Sequence, residues 1–164
     1  MNEKRLQIYL DDHLALMVGE VELVNRCLGS NRCTPLGDFL QKLAAEVAAQ
    51  KSVANDIHCH IGGADSLESR VKQGVAWLAE KAGRLKLNGS LLSYSELSRL
   101  VELETLAAAA QERVAFWDNL DAVAARDSRL GGIDFAFFRD QSQRQLEELN
   151  VRRRFAAAEA FSGR

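Results

Sequence analysis

Between Ser93 and Ala125 the chain reads SYSELSRLVELETLAAAAQERVAFWDNLDAVAA, with neither Gly nor Pro to interrupt it. A run of that length has one economical solution, a single long helix. Its apolar residues agree: Leu97, Leu100, Leu103, Ala107, Ala110, Val114 and Trp117 recur every three or four positions, which places them on one face. Ser93-x-x-Glu96 has the spacing of a capping box, in which both side chains satisfy backbone N–H groups orphaned at a helix start. Ala107 to Ala110 would let a partner helix approach closely. A helix this long cannot bury its apolar face alone, so the stretch predicts the central member of a bundle.

The rest of the chain supplies partners for it. Leu6, Leu10, Leu14, Met17, Val21, Val24 and Leu28 line one side of a first helix expected over residues 3–28, with Gly29 as its stop. Thr34-Pro35 is a start signal, a hydroxyl at the cap followed by the imino acid whose missing N–H costs nothing there. The second helix carries Leu36, Leu40, Leu43, Val47, Ala54, Ile57 and Ile61 inward and ends at Gly62-Gly63. The short turn between these two helices makes them antiparallel. Asp65-x-x-Glu68 opens a weaker helix to about Lys81, and GRLKLNGSLL reads as an ordered connector rather than a hairpin, since no other strand could pair with it. Asp134 caps a last helix reaching Phe161, with Phe135, Phe138, Leu146, Leu149, Ala156 and Ala160 inward. The pattern is all-α and one domain over residues 1–164. The link of roughly 30 residues before the central helix favours a crossover over a five-helix up-and-down arrangement.

Charge and composition narrow the function classes. Lys and Arg total 21 against 23 Asp and Glu, a net charge of −2 that gives no reason to expect nucleic-acid or membrane binding. No apolar run approaches the ~18 residues of a membrane span. The opening MNEKRLQIYLDD turns acidic before a signal-peptide core could form, so a cytoplasmic protein is expected. Three cysteines, Cys27, Cys33 and Cys59, lack a C-x-x-C spacing and read as reduced thiols. Nucleotide-binding and nucleophile-elbow motifs are missing from the sequence.

YLDDHLALMVGEVELVNR, TPLGDFLQKLAAEVAAQ and AEKAGRLKLNGSLLSYSELSRLVELETL resemble an uncharacterised bacterial branch of the ferritin-like superfamily, over about residues 6–120. The resemblance implies a ferritin-like four-helix bundle with a crossover carrying a short extra helix, and no established activity comes with this branch. Ferritin-like enzymes hold two iron or manganese ions between the helices, with a Glu from each of two helices and a Glu-x-x-His from each of the others. Here His13 and Glu20 on the first helix, Glu46 on the second and Glu104 on the central helix are the metal-ligand candidates. Glu46 is followed three residues on by Ala49, Glu147 by Asn150 and Glu148 by Val151, so neither Glu-x-x-His exists. Gln50, central to its stripe, is a poor substitute for the imidazole. His58 and His60 point about 200° apart on a helix and cannot share an ion. Their place in the last turn is explained by the helix dipole.

The expectation is therefore a non-catalytic bundle acting through protein contacts, with an oily interior where metal-binding relatives keep imidazoles and no resident cofactor. Phe116, Trp117, Phe135, Phe137, Phe138 and Phe161 exceed what one inward stripe can hide, which points to a homodimer. The alternatives are a degenerate di-metal (iron or manganese) protein using His13, Glu20, Glu46 and Glu104, and a carrier of a small apolar ligand between alanine-lined helices. Arg139, Arg144, Arg152, Arg153 and Arg154 are offset by nearby acids and read as a solvated helix face, with Glu148–Arg152 paired along it.

Overall fold

The computed structural model of the chain describes residues 2–62 and 94–162. These form four long helices, α1 (Glu3–Ser30), α2 (Pro35–His60), α3 (Glu96–Ala124) and α4 (Phe135–Phe161), with a 3₁₀ turn at Ser128–Leu130 before the last. The weak helix expected after Asp65, the GRLKLNG connector and Ser93 lie outside the described residues.

Each helix begins on a side chain that accepts from the backbone one turn on. Asn2 takes Arg5 N–H (3.1 Å), Thr34 takes Gly37 N–H (3.0 Å), Ser95 takes Ser98 N–H (3.1 Å) and Asp134 takes Phe137 N–H (2.9 Å). The cap of α3 is therefore Ser95, two residues beyond the Ser93 expected from the capping-box spacing. Gly29 does not stop α1 either. The helix runs one residue past it, to Ser30, and is capped by Asn31, whose buried side chain donates to Cys27 O (2.7 Å). The turn into α2 then uses Cys33 at φ 61. Gly37 is required there, because a Cβ would collide with the Asn31 carbonyl.

The hydrogen bonds between helices give their directions. Gln7 Nε2 donates to Ile61 O (3.0 Å), so α2 ends beside the start of α1. Tyr9 pairs with Asn119 (3.1 Å) and Arg26 with Glu102 (2.9 Å), so α3 runs antiparallel to α1. Gln50 pairs with Gln141 (2.7 Å), while Arg152 donates to Pro35 O (3.3 Å), so α4 runs antiparallel to α2. Consequently α2 and α3 run parallel, and Tyr94 at the start of α3 meets Asn31 at the far end of the bundle from Ile61.

The core falls into two parts. Leu23, Val24, Leu40, Leu43, Val47, Leu100, Leu103, Leu106 and Leu149 fill one end. Leu10, Leu14, Met17, Ile57, Phe116, Trp117, Leu120 and Phe135 fill the other. Between them, on all four helices, the stripe positions are polar. Leu97, counted on the inward face above, is instead 38% exposed.

Candidate functional site: a buried arginine layer

Along α3 the buried residues Leu103, Leu106, Ala110, Arg113, Trp117 and Leu120 step by three and four, and Arg113 is the one charge among them. Its guanidinium is 2% exposed. Nε and one terminal nitrogen donate side-on to both oxygens of Glu20 on α1, at 2.8 and 3.0 Å. The other terminal nitrogen reaches Gln50 on α2 (3.1 Å), and Ser142 (3.1 Å) and Gln145 (2.6 Å) on α4. Planar, forked donors make such a fit possible, and a lysine could not reproduce it.

The acceptors are themselves held. Gln50 Oε1 also takes the Trp117 indole N–H (2.8 Å) and the Ser142 hydroxyl (3.0 Å), and Gln50 Nε2 donates to Gln141 (2.7 Å). Gln145 Nε2 donates to Glu46 (2.6 Å), which sits at the edge of the layer and also faces Lys42 at 3.8 Å. Burial pushes the Glu20 carboxyl above the usual carboxylate range, while the Arg113 charge and hydrogen bonds pull it back down. The expected oily middle is thus corrected to a polar layer, closed around an organic cation.

His13, Glu20 and Glu104 line one cleft between α1 and α3, but with Glu46 they do not converge on a single point. Glu20 and Glu46 join the layer, linked only through Gln145 and Arg113. His13 lies on the same side as Glu20 but stacks between Tyr9 (4.4 Å between ring centroids) and Phe116 (4.8 Å), and burial lowers its pKa below 6.5. Glu104 is exposed, and the buried acid on that turn is Glu102, which accepts from Arg26 and from the Tyr94 hydroxyl (both 2.9 Å). Among the described residues no three His, Cys, Asp or Glu side chains stand where they could hold a metal ion. The donor set does not fit a di-metal centre: two carboxylates face amides, a hydroxyl and a fixed positive charge, and no imidazole reaches them.

Two more polar clusters lie outside the layer. His58, expected only to complement the dipole at the end of α2, is 1% exposed, and its Nε2 donates to buried Asp11 at 2.6 Å. The solvent-facing histidine of that turn is His60. At the opposite end, Cys27, Asn31, Tyr94 and Glu102 form a chain in which burial pushes the Cys27 thiol up to about 12. All three cysteines are free. A cleft of about 340 Å³ opens between α1 and α3, lined by Leu16, Met17, Leu23, Val101 and Ala109, with the Glu20–Arg113 pair among its lining residues.

Arg113 had a signal. It stands three residues after Ala110 and four before Trp117, which fits the stripe as well as Val114 does at four and three, so the spacing admits either side chain. Ser142 and Gln145 likewise continue the spacing from Phe138 to Leu149. No family model, curated protein or solved structure matches the chain.

Proposed function

We propose that this protein is a ferritin-like bundle that has exchanged metal chemistry for a structural cation and acts through protein contacts, as a homodimer. The observation that carries the reading is Arg113. Its guanidinium lies in the interior between four helices, where ferritin-like enzymes place their ions, and it takes up the carboxylate of Glu20 that a metal would need. The parallel run of α2 and α3 supports the crossover topology of that superfamily. No helix among the described residues is long and apolar enough to cross a membrane.

The test is metal content. Protein purified natively, and again after incubation with ferrous iron or manganese and desalting, should carry far less than one ion per chain by elemental analysis. Two ions per chain, lost in Glu20→Ala, would overturn the reading.

The cleft between α1 and α3 favours a second reading, a carrier of a small apolar ligand. Aliphatic and alanine side chains alternate in its lining with His13, Glu20, Glu104, Glu112 and Arg113, and its volume lies at the lower end of ligand sites. A fluorescent apolar probe should then bind at one site per chain, and Ala109→Phe should abolish binding while leaving the helix content unchanged. Probe binding that Ala109→Phe leaves intact would rule the cleft out.

A further inference from the structure

The outer face of α4 is apolar at both ends and charged in the middle. Phe137, Gln141, Arg144, Glu148, Val151 and Phe155 lie within about 40° of one line along the helix. Phe137 is 50% exposed, Val151 41% and Phe155 69%. Two large aromatic rings about 27 Å apart along one helix face, with an aliphatic residue between them, are expensive to leave in water. Nothing within the described residues covers them.

The order of residues on this face says what does. When α4 is turned end over end about a point level with residue 146, its aromatic and its charged positions meet suitable partners. Phe137 faces the partner's Phe155 and Arg144 faces the partner's Glu148, while Gln141, its amide turned inward onto Gln50, leaves only its stem opposite the partner's Val151. Because a two-fold axis repeats each contact, the charge pair forms twice beside the axis and the aromatic pair once at each end. A parallel alignment would instead set Arg144 on Arg144 and Glu148 on Glu148. Sliding the antiparallel pair by one turn would separate the charges from their complements.

The intramolecular contacts leave these groups able to pair. Arg144 makes no ion pair among the described residues. Glu148 bonds Arg152 through one oxygen at 2.6 Å, and Arg152 rests its guanidinium over Phe39 at 4.4 Å, which keeps it beside the face rather than across it. A groove of about 510 Å³ between α2 and α4, lined in part by Phe39, Phe137 and Arg144, lies open alongside and leaves room for the partner's Phe155.

We propose that α4 is the dimer interface, packing antiparallel on α4 of a second copy with Arg144 on the partner's Glu148 and Phe137 on the partner's Phe155. This rests on the homodimer reading above and gives it a surface and a register. A single helix pair is at the small end of stable interfaces, so association with a Kd on the order of micromolar is expected.

Sedimentation velocity across a concentration series tests it with charge reversals. Arg144→Glu and Glu148→Arg should each weaken self-association by about a hundredfold or more, because two contacts become repulsive in each. Mixing the two variants in equal amounts should restore a dimer, since each repulsive pair then becomes attractive. Both positions are on the surface, so circular dichroism should show unchanged helix content, and Phe155→Ser should weaken association without altering charge. A wild-type chain that stays monomeric at every concentration would overturn both this interface and the homodimer reading. A dimer indifferent to Arg144→Glu and Phe155→Ser would overturn the interface alone. A mixture that fails to associate would overturn the antiparallel register.

Discussion

Arg113→Met is expected to destabilise the protein by about 3–5 kcal/mol, the usual consequence of removing one partner from a buried ion pair. The cost comes from what is left behind rather than from the attraction lost. Glu20 is 2% exposed, and without the guanidinium its carboxylate has no countercharge. Set against the roughly 5–15 kcal/mol that holds a typical domain together, this single change consumes a large share. Removing the acid as well should recover most of it. Glu20→Met combined with Arg113→Met leaves Trp117 and Ser142 bonded to Gln50 and Gln145 bonded to Glu46, deprives only the Gln145 side-chain oxygen of its donor, and replaces two desolvated charges with apolar volume. The double variant should therefore be more stable than Arg113→Met alone, and urea denaturation of the four proteins completes the cycle.

The pH dependence of that deficit identifies the group responsible. Burial already raises the Glu20 pKa above 4.5, and the charge and hydrogen bonds of Arg113 work against that rise. In Arg113→Met only the raising influence remains. An acid whose folded pKa lies above its unfolded value contributes stability that is present at low pH and is lost as pH rises through the folded pKa. The gap between Arg113→Met and the wild type should accordingly be smallest near and below pH 4.5 and widen toward neutrality. A gap that does not change with pH would mean that Glu20 is not the charge Arg113 neutralises.

The same layer explains which parts of the fold could be read from the chain. The four long helices, the caps at Thr34 and Asp134 and most of the aliphatic stripes follow from local chemistry, and local chemistry is written in neighbouring residues. The polar centre is not local. Leu97 and Val114 read as inward because they are apolar, and spacing alone does not prefer Arg113 to Val114, since both stand three and four residues from Ala110 and Trp117. Glu104 and Glu102 differ by two positions, about 200° around the helix, so a small error in the assumed face exchanges a buried acid for an exposed one. His58 could not be distinguished from His60 without knowing that Asp11, 47 residues away, lies opposite. Gln50 was placed correctly on its stripe, yet its purpose depends on donors from α3 and α4. A fully bonded layer of this kind also sets register. Sliding any helix by a turn would bring an aliphatic side chain to the guanidinium and leave buried polar atoms unpaired.

Trp117→Ala is the second large effect, expected to cost about 3–5 kcal/mol, in the range for truncating a buried aromatic residue. Trp117 is fully buried and joins the polar layer to the aromatic end of the core. Its ring lies 4.7 Å from Phe116 and 4.8 Å from Phe138, while its indole N–H donates to Gln50 at 2.8 Å. The two contributions can be separated. Trp117→Phe keeps most of the ring contacts and removes the donor, but Gln50 Oε1 still accepts from Arg113 and Ser142, so no orphaned acceptor results. Its cost should be about 1 kcal/mol for the lost hydrogen bond, with a further increment for the missing ring volume, and well below that of alanine. Chemical denaturation of the three proteins measures the order. If Trp117→Phe were as damaging as Trp117→Ala, the indole donor would outweigh the packing, and the layer around Arg113 would depend on Trp117 far more than three donors sharing one amide oxygen imply. If both were nearly neutral, this side chain could not be at the junction of the two cores.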